Sequence, residues 1–450
     1  MKIAGELFEL RDGEGPILYA PLSGAIARLN DAGMEAVRRH LSGCRLTEQE
    51  QEVIELLKPH RFFDEAETPG AQGGAFAPTH VTLFPSDGCN LRCRYCYAAA
   101  AGQRHRMDLP AGRAAIDLVR KNAQTKGEKL FVVSFHGNGE PFTAFAELKA
   151  LCDYAQDEAE RYGLECHFSI ATNGALNDEQ LDYLIARFDA VNVSFDGLPS
   201  LQDRQRPFAD GSGSFALVDR TLLRLQDAGK SFGIRATLTV DSIQYLEEIA
   251  AFVTQRYPKC DQLHIEPAWE CGRCLTTGEQ TPDVEEFIER FLRAEENLAP
   301  GAPALVYSAA RQGLLAGGFC AVCDGAFTVT AEGYATACYE VCTSQDPRSD
   351  TFLFGKYDTA TCCFAFDEEK LARLAQLRVE NMPYCKDCFC KWHCAGDCAA
   401  KLLGTNDPEK HQGSARCKIA RALTLRQLTR RLQFREESVY QDRKEALYEQ

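Results

Sequence analysis

Residues 81–96 read Val81-Thr82-Leu83-Phe84-Pro85-Ser86-Asp87-Gly88-Cys89-Asn90-Leu91-Arg92-Cys93-Arg94-Tyr95-Cys96. A short apolar run stops at a Pro-Ser-Asp-Gly break, and three cysteines in CxxxCxxC spacing follow on the loop. The same unit, a strand-like run and then a helical stretch, recurs downstream. Strand-like runs fall at Val81–Phe84, Leu130–Phe135, Cys166–Ala171, Ala190–Phe195, Phe232–Val240 and Gln262–Glu266. Helical stretches separate them at Ala111–Lys121, Ala144–Tyr162, Glu179–Arg187, Phe215–Gly229 and Ile243–Gln255, and a later one fits Val284–Asn297. This alternation predicts a parallel sheet covered by helices, an α/β fold built as a partial (β/α)6 barrel. Such sheets place their chemistry at the carboxyl ends of the strands, where the cysteine loop falls.

The flanks read differently. Ahead of the barrel, residues 1–74 predict a small α+β domain. It has strands near Glu6–Leu10 and Ile17–Tyr19, helices near Gly24–Arg39 and Thr47–Leu57, and a linker at Ala71–Ala77. Barrel residues span 78–312. From Gly313 to about residue 420 the chain is cysteine-rich with few long apolar runs, and its folding is expected to depend on bound metal. A charged helix closes the chain over 421–450.

The chain has 450 residues, 21 of them cysteine, and a formal net charge of -15. Acidity argues against binding to phosphate backbones, although the run Arg421–Arg435 is locally basic. No membrane-length apolar run and no signal-like amino terminus is present, so no membrane or nucleic-acid partner and a cytoplasmic location are expected. Disulfides are rare in that compartment, which leaves metal ligation for so many thiols. They are also clumped, three between Cys89 and Cys96 and five between Cys385 and Cys398.

Three thiolates on one loop hold three irons of a four-iron cube and leave the fourth iron open to a ligand. A zinc knuckle shares the spacing. The loop resembles that of the radical S-adenosylmethionine enzymes, which carry an aromatic residue before the last cysteine, here Tyr95. The resemblance implies a cluster on Cys89, Cys93 and Cys96 whose open iron is chelated by the methionyl group. Reduction then releases methionine and a 5′-deoxyadenosyl radical. The second strand ends in Gly137-Asn138-Gly139-Glu140-Pro141, similar to the family's GGEP stretch with Asn138 in place of one glycine. Glycine lets backbone approach the ligand, and the Glu140 carboxylate suits its ammonium. Asn173, Ser194 and Asp196 at later strand ends resemble pocket-lining residues. Arg206 and Arg235 are candidate carboxylate partners, and Glu266 is expected on the adenosine or substrate side.

The last third contains Cys323, Cys338, Cys385-x2-Cys388-x5-Cys394-x3-Cys398 and Cys417. This order resembles the SPASM domain of peptide-modifying radical enzymes. The resemblance implies two auxiliary cubes, one on Cys320, Cys323, Cys338 and Cys398, the other on Cys385, Cys388, Cys394 and Cys417. The cofactor set is then three [4Fe-4S] clusters and S-adenosylmethionine, with flavodoxin or ferredoxin as the kind of reductant. Cys342, Cys362, Cys363 and Cys390 lie beside these ligands and are alternatives to them. Cys271-x2-Cys274 stands apart. His136, His264 and His393 could suggest acid–base chemistry, but His136, ahead of the cofactor motif, and His264, within a strand, are more simply structural.

The resemblance points to a maturase acting on a ribosomally made precursor peptide and forming an intramolecular cross-link, such as a thioether. Residues 1–74 would then be a winged-helix-like domain that captures the leader by strand addition. One alternative is a sulfatase-maturing enzyme that oxidises cysteine or serine to formylglycine. In those enzymes an acidic residue follows the cysteine that corresponds to Cys338, and here that residue is Tyr339. No substrate base is apparent. Another alternative is a non-catalytic iron–sulphur electron carrier or sensor.

Overall fold

The computed structural model describes residues 1–70, 75–100, 105–311, 313–402 and 412–434. Part of the expected linker, residues 71–74, and most of the closing segment, residues 435–450, lie outside the described residues.

Four antiparallel strands open the chain: β1 (Lys2–Ala4), β2 (Leu7–Asp12), β3 (Gly15–Ala20) and β4 (Ala25–Arg28). Helices Asp31–Leu41 and Glu48–Leu57 follow. The segment Ala25–Arg28, expected as the start of a helix, is instead a strand paired with β3 from Ala20↔Ala25 to Ile17↔Arg28. Asn30 sets the boundary, because its side chain accepts from Gly33 N and caps the first helix. Thr47 and Glu50 form a capping box on the second.

The large sheet contains β5 (His80–Leu83), β6 (Leu130–Phe135), β7 (Glu165–Thr172), β8 (Ala190–Ser194), β9 (Phe232–Leu238), β10 (Cys260–Pro267) and β11 (Ala304–Val306). These seven are parallel and lie in sequential order, the partial barrel that the alternation predicts. One face of each strand is apolar. Val81, Leu83, Val133, Phe135, Phe168, Ile170, Val191, Val193, Ile234 and Ile265 join helix residues such as Ile116, Val119, Leu148 and Leu151 in one core. The alternate positions form a polar inner face. Thr82 is in register with Ser134 and Ser134 with Ser169; Ser194 faces Arg235, and Arg235 faces His264. A period of two along each strand thus separates the packing face from the face open to chemistry.

The cysteine-rich region extends this sheet. β12 (Thr328–Val329) pairs parallel to β5, and β13 (Tyr334–Thr336), β14 (Leu353–Asp358) and β15 (Cys363–Phe366) continue antiparallel. These strands were not expected from the sequence. Phe327, Phe354, Phe364 and Phe366 stack with one another and, in part, with Phe76. The region therefore has more apolar support than anticipated, mostly shared with the barrel's core and supplemented by a small cluster of Val379, Met382, Cys385 and Trp392.

Helix Ala415–Phe434 returns to the amino-terminal sheet. Leu428 is buried among Phe8, Leu10, Ile17 and Tyr19. The sheet also grips the segment Lys391–Cys394. Tyr19 Oη lies 2.5 Å from His393 Nε2, and Glu6 accepts from Lys391 Nζ at 2.6 Å and Trp392 Nε1 at 2.8 Å.

Candidate functional site

The loop after β5 is held from two sides. Arg92 N and Arg94 N donate to Pro207 O (2.7 Å) and Gln205 O (2.9 Å). On the other side Arg273 donates from its guanidinium to Cys93 O (2.7 Å) and Ala100 O (3.0 Å), and from its backbone N to Cys96 O (2.9 Å). Arg273 lies between Cys271 and Cys274, so this CxxC segment is a clamp on the cluster loop. A side chain at Gly272 would come within 2.2 Å of Tyr97 O.

Cys89, Cys93 and Cys96 are brought together: Cys96 acts on the charge of Cys89, and both act on that of Cys93. Burial pushes the Cys89 thiol up to about 11, with Glu140 adding to the effect, and Cys93 up to about 12. Three thiolates in so buried a place need positive partners; Arg206 is one, and iron would supply more. Among the described residues no three His, Cys, Asp or Glu side chains surround a single ion. A four-iron cube has no need of that, since each thiolate takes a different iron.

Glu140 closes one side. Its carboxylate accepts from Asn173 N (2.7 Å), Thr172 Oγ1 (2.7 Å) and Phe142 N (3.3 Å). Burial raises its pKa and these donors oppose the rise. Glycine is obligatory at 139, because a Cβ there would sit 2.3 Å from Gly88 O. Gly137 O accepts from Tyr97 Oη (3.3 Å), and Asn173 Nδ2 reaches Asn90 Oδ1 at 2.7 Å.

The opposite side is a buried polar knot. Asp196 accepts from Tyr95 Oη (2.5 Å), Gln205 Nε2 (3.1 Å) and Thr237 N (3.2 Å), and Arg206 donates to Tyr95 Oη at 3.0 Å. Tyr95, placed in the sequence by its aromatic position, thus contributes its hydroxyl as well. Arg206 Nε and Gln205 Oε1 are buried without a hydrogen-bond partner. An orphaned guanidinium nitrogen whose charge acts on Cys93 is what an amino-acid carboxylate at that cluster would satisfy. The residues present fit an iron–sulphur cluster with a methionyl ligand. Gln205 and Arg273 were missed in the sequence; only the Arg-Gln-Arg-Pro run at 204–207 hinted at the first, whereas Thr172 lies in the Thr172-Asn173-Gly174 stretch that the sequence marked as pocket-lining.

Ser194 and Arg235 lie side by side on the inner face, and Arg235 forms no ion pair among the described residues. Glu266 is engaged elsewhere. It accepts from Ser308 N (2.9 Å), contacts His264 Nε2 (2.9 Å) and pairs with Arg416 at 3.3 Å. Burial opposes its ionisation, but Arg416 and His264 hold it well below the usual carboxylate range. Tyr339 reaches the inner face from the cysteine-rich region. It stacks on His136 with centroids 4.7 Å apart, and its hydroxyl lies 3.1 Å from Thr82 Oγ1. Burial raises its pKa above the ordinary phenol value.

The remaining expected ligands form two groups. Cys398 is the thiol acting most strongly on both Cys320 and Cys338. Cys323 lies against Gly318, with its Sγ 3.2 Å from Asp324 Oδ2. Cys385, Cys388, Cys394 and Cys417 line one cavity together with Cys390. Between the groups Arg416 and Asp397 form a buried pair at 2.7 Å, next in sequence to Cys417 and Cys398.

A parallel partial barrel with three half-buried thiols at its mouth and a cysteine-rich closure is an arrangement able to hold an iron–sulphur cluster with an amino-acid ligand. Residues 83–253 match the model of the Radical SAM superfamily. This stretch resembles the radical S-adenosylmethionine enzymes, and a likeness of fold to solved structures extends into the cysteine-rich region.

Among curated relatives, an uncharacterized protein of Methanocaldococcus jannaschii is 30% identical over 39% of this chain and 58% of its own length. The Fe-coproporphyrin III synthase of Methanosarcina barkeri is 28% identical over 50% of this chain and 57% of its own. A cysteine-type anaerobic sulfatase-maturating enzyme of Clostridium perfringens is 24% identical over 40% and 49%. The chain therefore spans about half the length of the curated relatives it matches. Among solved structures, anSMEcpe with bound AdoMet superposes with a TM-score of 0.61 at 16% identity, covering 83% of this chain and 98% of that one. Streptococcus suis SuiB bound to precursor peptide SuiA gives 0.51 at 16%, covering 92% and 99%. At these identities the likeness is one of fold. No helix among the described residues is long and apolar enough to cross a membrane.

Proposed function

We propose that this enzyme abstracts a hydrogen atom from a side chain of a peptide or protein substrate and oxidises it. The observation that carries the reading is the placement of three thiols, the Glu140 cradle and the free Arg206 Nε around one end of a polar inner face. When bound, the cluster and S-adenosylmethionine supply a carbon radical able to take a hydrogen atom.

The residues have separate tasks. Cys89, Cys93 and Cys96 hold three irons. Glu140 fixes the backbone at Asn173 and accepts from the methionyl ammonium. Arg206, steered by Tyr95 and Asp196, takes the methionyl carboxylate, with Ser194 and Arg235 beside it. His136 and Tyr339 wall off the inner face from water. Three [4Fe-4S] clusters are part of the proposal, the auxiliary two on the groups around Cys398 and Cys385. When bound, the auxiliary clusters would supply an acceptor for the substrate's surplus electron, and a flavodoxin- or ferredoxin-type partner would be the reductant for S-adenosylmethionine cleavage.

Two products share the first step. The higher structural likeness to anSMEcpe and the sulfatase-maturating relative favour oxidation of cysteine or serine to formylglycine. That reading needs a base, and Tyr339 is a poor one because burial keeps its phenol protonated near neutrality. The amino-terminal α+β segment favours the cross-linking maturase, since the match to peptide-bound SuiB covers 92% of this chain. Residues 1–74 would then bind the precursor's leader.

Anaerobic reaction followed by mass spectrometry tests this. The reconstituted enzyme, S-adenosylmethionine and a reductant would be given a sulfatase-type peptide and the short peptides encoded beside its gene. An aldehyde at the sulfatase cysteine supports the first product; loss of two hydrogens with blocked fragmentation supports the second. Absence of 5′-deoxyadenosine under all conditions overturns the radical step.

A further inference from the structure

The cavity beneath helix Ala415–Phe434 presents one thiol too many. Cys385, Cys388, Cys390, Cys394 and Cys417 all line it, whereas a four-iron cube takes four cysteines. Local backbone explains the crowding. Cys388 N donates to Cys385 O (3.0 Å) and Lys391 N to Cys388 O (3.3 Å), so the chain turns tightly through Cys388-Phe389-Cys390. Cys390 then caps the turn Lys391–Cys394, with Cys394 N donating to its carbonyl at 2.9 Å. The turn brings Cys388 Sγ and Cys390 Sγ to 3.4 Å, and Cys390 is only 1% exposed.

Sulphurs so close address the same corner of a cube, not two separate irons. We propose that Cys388 and Cys390 are alternative ligands to one iron of the second auxiliary cluster, so that either completes the site. This rests on the reading that the cavity holds a cluster. Cys388 has an external partner, Arg421, whose Nε donates to its sulphur at 3.4 Å. A thiolate released from iron at Cys388 is therefore accommodated by a guanidinium, and Cys390 takes its place without backbone movement.

The test uses the full chain reconstituted anaerobically with iron and sulphide. Iron per chain and the electron paramagnetic resonance spectrum are read for C388A, C390A, the double variant and C394A. Each single variant of the pair is expected to keep the wild-type iron content with a shifted signal for that cluster. The double variant is expected to lose about four irons, as C394A does. A loss in C388A equal to that of the double variant excludes Cys390 as a ligand, and the same loss in C390A excludes Cys388. Either result overturns the proposal. Wild-type iron in both C394A and the double variant overturns instead the cluster on which it rests. Circular dichroism of the iron-free chains identifies any variant that does not fold. For such a variant C388S and C390S make the same comparison, because an oxygen ligand moves the g values.

Discussion

Gly139 and His80 show how single residues report on this site. Adding one methyl at Gly139 places it 2.3 Å from Gly88 O, a backbone atom that cannot swing aside. G139A should cost roughly 1–3 kcal/mol in chemical denaturation and weaken S-adenosylmethionine binding at least tenfold by calorimetry. Replacing Cys93 by alanine should abolish 5′-deoxyadenosine formation in a folded protein, and turnover at the normal rate would contradict the ligand assignment. His80 donates to or accepts from Ser134 Oγ at 2.7 Å, and burial lowers its pKa to about 4. Because the folded state holds the ring neutral, its contribution to stability is complete above the unfolded value of about 6.5 and is lost as pH falls toward 4. H80Q should flatten the decline of the urea midpoint in that window, by at most about 1.4 kcal/mol per pH unit.

At the scale of elements, the docking of the first sheet on Lys391–Cys394 is the contact most open to test. Y19F removes the hydroxyl facing His393 Nε2, and E6Q weakens the acceptor for Lys391 and Trp392. Each should destabilise the chain by about 1–3 kcal/mol in urea titration. The period-two and helical patterns of the barrel were legible because its strands are long, buried on one face and separated by capped helices. β12 and β13 were not, since two or three residues carry no periodicity, and their pairing with β5 is a long-range event. Ala25–Arg28 failed for a related reason. Its composition favours a helix, and pairing with β3 overrode it. The candidate cysteine ligands were marked by their spacing and by the family resemblance it carries, but the hydroxyl of Tyr95 and the clamp by Arg273 depend on loops that meet only in the fold.

For the molecule as a whole, metal and fold are joined through the closing region. The buried Arg416–Asp397 pair, with Glu266 at the end of β10, ties both expected auxiliary groups to the barrel. Full reconstitution should bring about twelve irons per chain if all three cubes form, and chelation should lower the melting temperature of the whole chain rather than of a detached tail. R416M should lower both iron retention and melting temperature, as one charge of a buried pair is removed and Asp397 is left alone.

The seating of Leu428 and Arg431 on the first sheet has a consequence for biosynthesis. Arg431 Nη2 donates to Gly24 O at 3.2 Å, and Leu428 covers Phe8, Leu10, Ile17 and Tyr19. On the ribosome those four side chains are made about four hundred residues before Leu428 and wait, uncovered, through that interval. β5 likewise lacks its neighbour β12 through most of that time. The nascent chain thus exposes sticky surface from the making of the first sheet until the helix that covers it, and yield in the cell should depend more on chaperone supply during translation than on the stability of the finished fold.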